Sequence, residues 1–175
     1  MKVFRKIKLF FTVTLFVSQF ALAQTQETPP QLKQEPDSNG CKNVVVNKEI
    51  TVESIQMGVL ENQDNNLFTA TQNIPLVEKT AYGWRMQLNV KNRKINWREV
   101  YSIPSPPKSW GIADSTNYIK VHSNRMQSES KQSTFTSHGV VDNYWVVLPG
   151  DPVGDQSMQV FVEGVFVCQL NFVVS

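Results

Sequence analysis

Apolar and polar positions alternate with a period of two along much of this chain, which predicts β-strands. In residues 82–91, Tyr82, Trp84, Met86, Leu88 and Val90 fall on one face. Gly83, Arg85, Gln87, Asn89 and Lys91 fall on the other. Such a strand has one face in a core and one in water. The C-terminus repeats the pattern. Met158, Val160 and Val162 alternate with Gln159, Phe161 and Glu163, and Glu163-Gly164 supplies a tight turn. Phe166, Cys168, Leu170, Phe172 and Val174 then return on one face. This predicts a terminal β-hairpin with the Cys168 sulfur pointing inward.

Weaker patterns predict strands at residues 44–46, 50–60 and 97–103, the last ended by Pro104, Pro106 and Pro107. Residues 117–122 predict a short edge strand. Residues 141–148 are apolar on both faces and read as a central strand, and Pro149-Gly150-Asp151-Pro152 forces a turn after it. Residues 123–133 are polar and lack an aromatic, so they read as an exposed, mobile loop. Helical periodicity is absent almost everywhere. Short strands separated by turns predict one all-β domain over residues 41–175, a sandwich or barrel.

The N-terminal segment is different in kind. Residues 1–8 carry Lys2, Arg5, Lys6 and Lys8 and no acid; residues 9–20 are mostly apolar; Ala21-Leu22-Ala23 closes the run. These are the parts of a cleavable secretory signal, and the apolar run is too short and too mixed for a transmembrane anchor. Residues 1–23 are therefore expected to be removed during export, leaving no membrane span. Residues 24–40, with three prolines and one aliphatic, predict a flexible Pro/Gln-rich leader. Export changes the charge. The chain has 17 Lys plus Arg and 15 Asp plus Glu; without the four signal cations the balance is 13 against 15, or −2. Nucleic acid loses its compositional support as a partner.

The cysteines are Cys41 and Cys168. An even count in an exported chain favours a disulfide between them; the alternative is two unpaired thiols, one in the core. His122 and His138 are far apart and match no zinc spacing, so no metal and no cofactor is expected. The acids and glycines of residues 150–155 are too few for a calcium loop. No G-x-S-x-G occurs, and no pair of carboxylates sits in a recognisable glycosidase setting. No catalytic residue is assigned. Glu99 shares strand parity with Trp97, Tyr101 and Ile103, so burial would raise its pKa, but an edge position with its head in water is the simpler expectation. Trp110, in a Pro/Gly-rich loop, is either a binding anchor or a plug at the end of the sandwich. Tyr118 is its companion candidate.

Ile74-Pro75, Tyr82-Gly83-Trp84-Arg85, Pro106-Pro107, Tyr144-Trp145, Pro149-Gly150-Asp151-Pro152-Val153-Gly154, Glu163-Gly164 and Phe172-Val173-Val174 occur in an order that resembles a family of uncharacterised bacterial exported proteins. The resemblance spans residues 52–175, with residues 112–136 departing from it. It implies an immunoglobulin-like antiparallel β-sandwich and no catalytic residues. The resulting expectation is a periplasmic or secreted, non-enzymatic binding module whose partner is another protein or a cell-envelope component. The competing readings are a small hydrolase or carbohydrate-active domain, and an inhibitor or accessory subunit of an envelope complex.

Overall fold

The computed structural model describes residues 40–62, 66–111 and 118–175. The expected signal segment, residues 1–23, and residues 24–39 of the expected leader lie outside the described residues. Gly40, expected to close the leader, instead opens the first strand.

The strands are β1 (Gly40–Val45), β2 (Thr51–Asn62), β3 (Leu67–Ala70), β4 (Asn73–Ile74), β5 (Ala81–Leu88), β6 (Arg93–Ser102), β7 (Ile119–Val121), β8 (Gln127–Thr136), β9 (Val140–Val146), β10 (Gly154–Val162) and β11 (Val165–Val174). They form two sheets. One runs β1-β2-β5-β9, with β3 also paired to β2; the other runs β4-β11-β10-β6-β8-β7. Pairing is antiparallel except for the two-residue contact of β4 with β11. The inner faces meet in one core. Met57, Trp84 and Met86 of the first sheet and Ile95, Trp97, Met158, Val160 and Leu170 of the second are buried. This is the expected all-β sandwich.

The terminal hairpin forms as predicted. Glu163 and Gly164 have φ of 48° and 82°, the left-handed pair of a type I′ turn. One detail differs. Phe166 was expected inside but is exposed. The register between β10 and β11 shifts at Val160/Phe161, so Val160 faces Cys168 while Phe161 faces Phe166. The bulge reverses side-chain parity at the hairpin tip. Phe166 there packs on Phe161, with the rings 5.5 Å apart, and Arg98 covers Phe161 from 3.5 Å.

Two other expectations are corrected. Residues 127–133, part of the expected loop, lie in strand β8, which pairs along its whole length with β6. Its inward positions include Ser128, Ser130 and Thr136, small hydroxyl residues that are buried. Backbone pairing to β6 holds this strand, so its hydrophobic pattern is silent. The run at residues 141–148 is not a central strand: β9 pairs with β5 and with no other strand among those described. Its apolar character has two sources. Val141 and Val147 enter the core, whereas Val140 and Val146 stay exposed on the outer face.

Two features bind the sheets together. Cys41 of β1 and Cys168 of β11 form a disulfide across the sandwich, with Cα atoms 5.8 Å apart and a sequence separation of 127. The second feature is Glu99, fully buried at 0% exposure in the middle of β6. The expectation of a water-facing head therefore fails, because β6 lies between β10 and β8 rather than at an edge. The carboxylate reaches across to the opposite sheet. Trp84 Nε1 of β5 and Asn143 Nδ2 of β9 donate to Oε2 at 2.5 and 3.1 Å, and Trp145 Nε1 of β9 donates to Oε1 at 2.8 Å. Burial raises the Glu99 pKa above its ordinary value, and the three hydrogen bonds oppose that rise.

Substituting Cys41 and Cys168 with Ala should lower unfolding free energy by roughly 2–5 kcal/mol in chemical denaturation. A change under about 1 kcal/mol would show that the bond does not constrain the unfolded chain. Glu99→Gln should cost about 1–3 kcal/mol, because an amide donor replaces one acceptor facing indole and amide donors. The raised pKa also sets a sign. The folded state holds the Glu99 proton more tightly than the unfolded chain. Its stabilisation is complete below the ordinary value of 4.5 and is lost as pH rises through the folded value. Wild-type stability minus that of Glu99→Gln should therefore fall as pH rises from about 4.5 through the folded value; a flat or rising difference across that span would contradict the assignment.

Candidate functional site

The loops at one end of the sandwich line a small, shallow recess. Tyr101, Trp110, Trp145, Leu148, Asp151 and Gln156 are among its walls. The turn expected at residues 149–152 shapes one side. Leu148 N donates to Asp151 Oδ2 at 2.8 Å, and Asp151 N donates back to Leu148 O at 3.1 Å. Partial burial raises the Asp151 pKa, and the Leu148 hydrogen bond opposes it.

Trp110 is a plug. It is only 5% exposed, and its indole N–H donates to Arg125 O at 3.1 Å. Its ring meets Tyr101 and Trp145 edge-on, with centroids 5.7 and 5.8 Å away. Such contacts close the end of the core rather than display an anchor. Tyr118 is 45% exposed beside β7 and is not part of the recess wall. The structure therefore separates the two candidate binding residues.

The polar groups behind the recess satisfy one another. The Tyr82 and Tyr101 hydroxyls are 2.8 Å apart, the Tyr101 O–H donates to Gln156 Oε1, and Gln156 Nε2 donates to Pro152 O at 2.9 Å. Burial pushes both phenol pKa values up, so both remain protonated at physiological pH. A cleft combining Trp110, Tyr118 and two carboxylates would suit a hydrolase. Here the recess wall holds Trp110 and a single carboxylate, Asp151. His122 and His138 lie outside that wall, and His138 Nδ1 sits 2.8 Å from Ser137 Oγ. Among the described residues no group of three His, Cys, Asp or Glu side chains could hold a metal, and no helix is long and apolar enough to cross a membrane.

The β9 edge has a different character. Leu88 N donates to Gly139 O and Val147 N donates to Thr80 O, at 2.8 and 2.9 Å. With the register Ala81↔Val146 to Gln87↔Val140, antiparallel alternation turns the main-chain groups of odd-numbered residues toward β5. Val140, Asp142, Tyr144 and Val146 point theirs outward. Their side chains share the outer face of the sheet. Asp142 pairs with Arg85 at 3.1 Å and accepts from Tyr144 Oη at 3.2 Å. The Tyr144 pKa is pushed up to about 12, first by burial and then by the Asp142 charge. Val140 and Val146, at 37% and 42% exposure, flank that pair. On the inner face, Asn143 and Trp145 are clamped by Glu99. The sequence pattern showed the apolar residues of this strand; its position at a sheet edge depends on which strand lies beyond it, and alternation carries no signal for that.

The comparisons with known proteins concern the fold. No curated protein matches the chain. The structure is similar to that of an immunoglobulin-like protein from Pseudomonas aeruginosa, at 17% identity and a TM-score of 0.46, covering 73% of this chain and 97% of that one. It is also similar to the PmoD soluble domain from Methylocystis sp., at 11% identity and a TM-score of 0.40, covering 77% of this chain and 98% of that one. The PM0630 beta sandwich domain family matches residues 55–175, well over half of the chain. The expected β-sandwich agrees with the family match, and this chain belongs to the PM0630 beta sandwich domain family.

Proposed function

We propose that this protein is exported and serves, in the periplasm or outside the cell, as a non-enzymatic binding module that captures a protein partner by strand addition at β9. The observation that carries this reading is the outward row of main-chain groups at Val140, Asp142, Tyr144 and Val146, which no described strand pairs. A strand in this position is completed by another extended main chain, so the partner class is protein. Export is supported by the charged, apolar and small-residue parts of residues 1–23 and by the Cys41–Cys168 bond, a cross-link that persists in oxidising compartments. An inhibitor or accessory subunit of an envelope complex would be one form of the same binding role.

Mass spectrometry of the protein recovered from its host should give an N-terminus at Gln24; retention of Met1 would reject export by signal cleavage. A photo-crosslinking amino acid placed at position 140 or 146 in host cells should yield an adduct to a protein chain. The same label at Asn171, exposed on the opposite sheet, should yield none. No adduct at either edge position, or equal labelling at Asn171, would reject strand addition at β9.

A further inference from the structure

This inference rests on the strand-addition reading and names the occupant: we propose that the strand added to β9 is β9 of a second copy of this chain. The two strands run antiparallel across a two-fold axis at Asn143.

The edges of the two sheets are not equivalent. In the second sheet β4 covers only Val173 and Val174 of β11, the rest of β11 borders a hairpin whose register is broken by a bulge, and β7 has three residues with Lys120 among them. In the first sheet β3 has four residues. β1 is interrupted by Asn43, whose φ of 54° breaks the extended backbone, and it carries Lys42. Short strands, irregular backbone and lysine are devices that discourage edge pairing. β9 has none of them. It is seven residues long, its sequence VVDNYWV contains no lysine, proline or glycine, and none of its residues has a positive φ.

Its sequence is also complementary to itself in one register. A two-fold contact pairs residues whose numbers add to a constant, and the outward main-chain groups belong to the even-numbered residues. An axis at Asp142 would set that carboxylate against its own copy. An axis at Tyr144 would set Val146 against the second copy's Asp142. An axis at Asn143 sets Val140 against the second copy's Val146, and Asp142 against the second copy's Tyr144. Both valines, already exposed, then cover each other. Tyr144, whose hydroxyl donates to Asp142 of its own strand, can exchange that bond for the second copy's Asp142. Cross-strand pairs of these types favour a register, and directly opposed like charges disfavour one. Each opposed even-numbered pair exchanges two main-chain hydrogen bonds, so the two four-stranded paths become one continuous sheet. Glu99 anchors the inner side of this strand through Asn143 and Trp145 and holds it flat for pairing.

The test needs no unknown ligand, since the partner is the protein itself: analytical ultracentrifugation of the exported form of the whole chain, with two paired variants. Wild type should be a dimer. Val140→Lys with Val146→Lys opposes like charges at both ends of the contact and should weaken the dimer at least about tenfold. Val140→Lys with Val146→Glu opposes Lys to Glu at both ends and should restore it. Both substituted positions, four across a dimer, are surface sites, so thermal melting should report folded protomers in each case. Wild type that stays monomeric up to about 1 mM would overturn the inference. So would a Lys/Lys dimer as tight as wild type, or failure of the Lys/Glu variant to recover. In those cases an edge adduct to a different protein in cells would leave the strand-addition reading standing, and absence of any edge adduct would remove both.

Discussion

The carboxylate of Glu99 is the constraint around which the two sheets are organised. A buried charge or acid is costly unless its hydrogen-bonding capacity is filled. Here two indole N–H groups and one amide fill it, all from the sheet opposite its own strand. These donors face the same difficulty in reverse, because a buried indole N–H needs an acceptor. Glu99 thus specifies which residues of β5 and β9 stand opposite the middle of β6. Apolar packing alone discriminates less sharply, since Val, Ile and Met can exchange positions at similar volume.

Aromatic packing continues that arrangement toward the open end. Trp84 meets Trp97 edge-on at 5.2 Å, and Tyr101 is surrounded by Tyr82, Trp110, Trp145 and Phe172. Trp145 belongs to both groups: its N–H is held by Glu99 and its ring packs against Trp110. The end of the sandwich is therefore closed by side chains that are already committed to one another. At the other side of the core, the Cys41–Cys168 bond ties the first described strand to the last. The molecule is filled and cross-linked inside, and among the described strands β9 presents a regular row of unpaired main-chain groups at a sheet edge.

The edge itself depends on the interior. β9 has a neighbour on one side, so half of its main-chain groups add nothing to the ladder. Its inner side chains compensate: Val141 enters the core, and Asn143 and Trp145 bind Glu99. On the outer face Asp142 is held by Arg85 of the adjoining strand. An edge strand supported on both faces keeps an extended backbone without a second neighbour, which is the form an added strand requires.

Much of this was legible in the chain. Alternation at Tyr82, Trp84, Met86 and Leu88, and again at Met158, Val160 and Val162, determined strands and inward faces, because side-chain direction in a strand follows parity alone. Glu163-Gly164 determined the hairpin turn, because few residues tolerate positive φ. Other features required the tertiary structure. β8 was hidden because Ser128 and Ser130 take core-facing positions without an apolar signal. Phe166 left its expected face because a bulge reverses parity. Trp110 became a plug and Glu99 a buried cross-sheet acceptor because each answer depends on what packs opposite, and that is set by residues distant in sequence. Sequence by itself thus determined the strands whose two faces differ in polarity and, where no bulge intervenes, which way they face. Only the assembled sandwich decided which strand lies at an edge, since edge status is a property of neighbours and not of the strand.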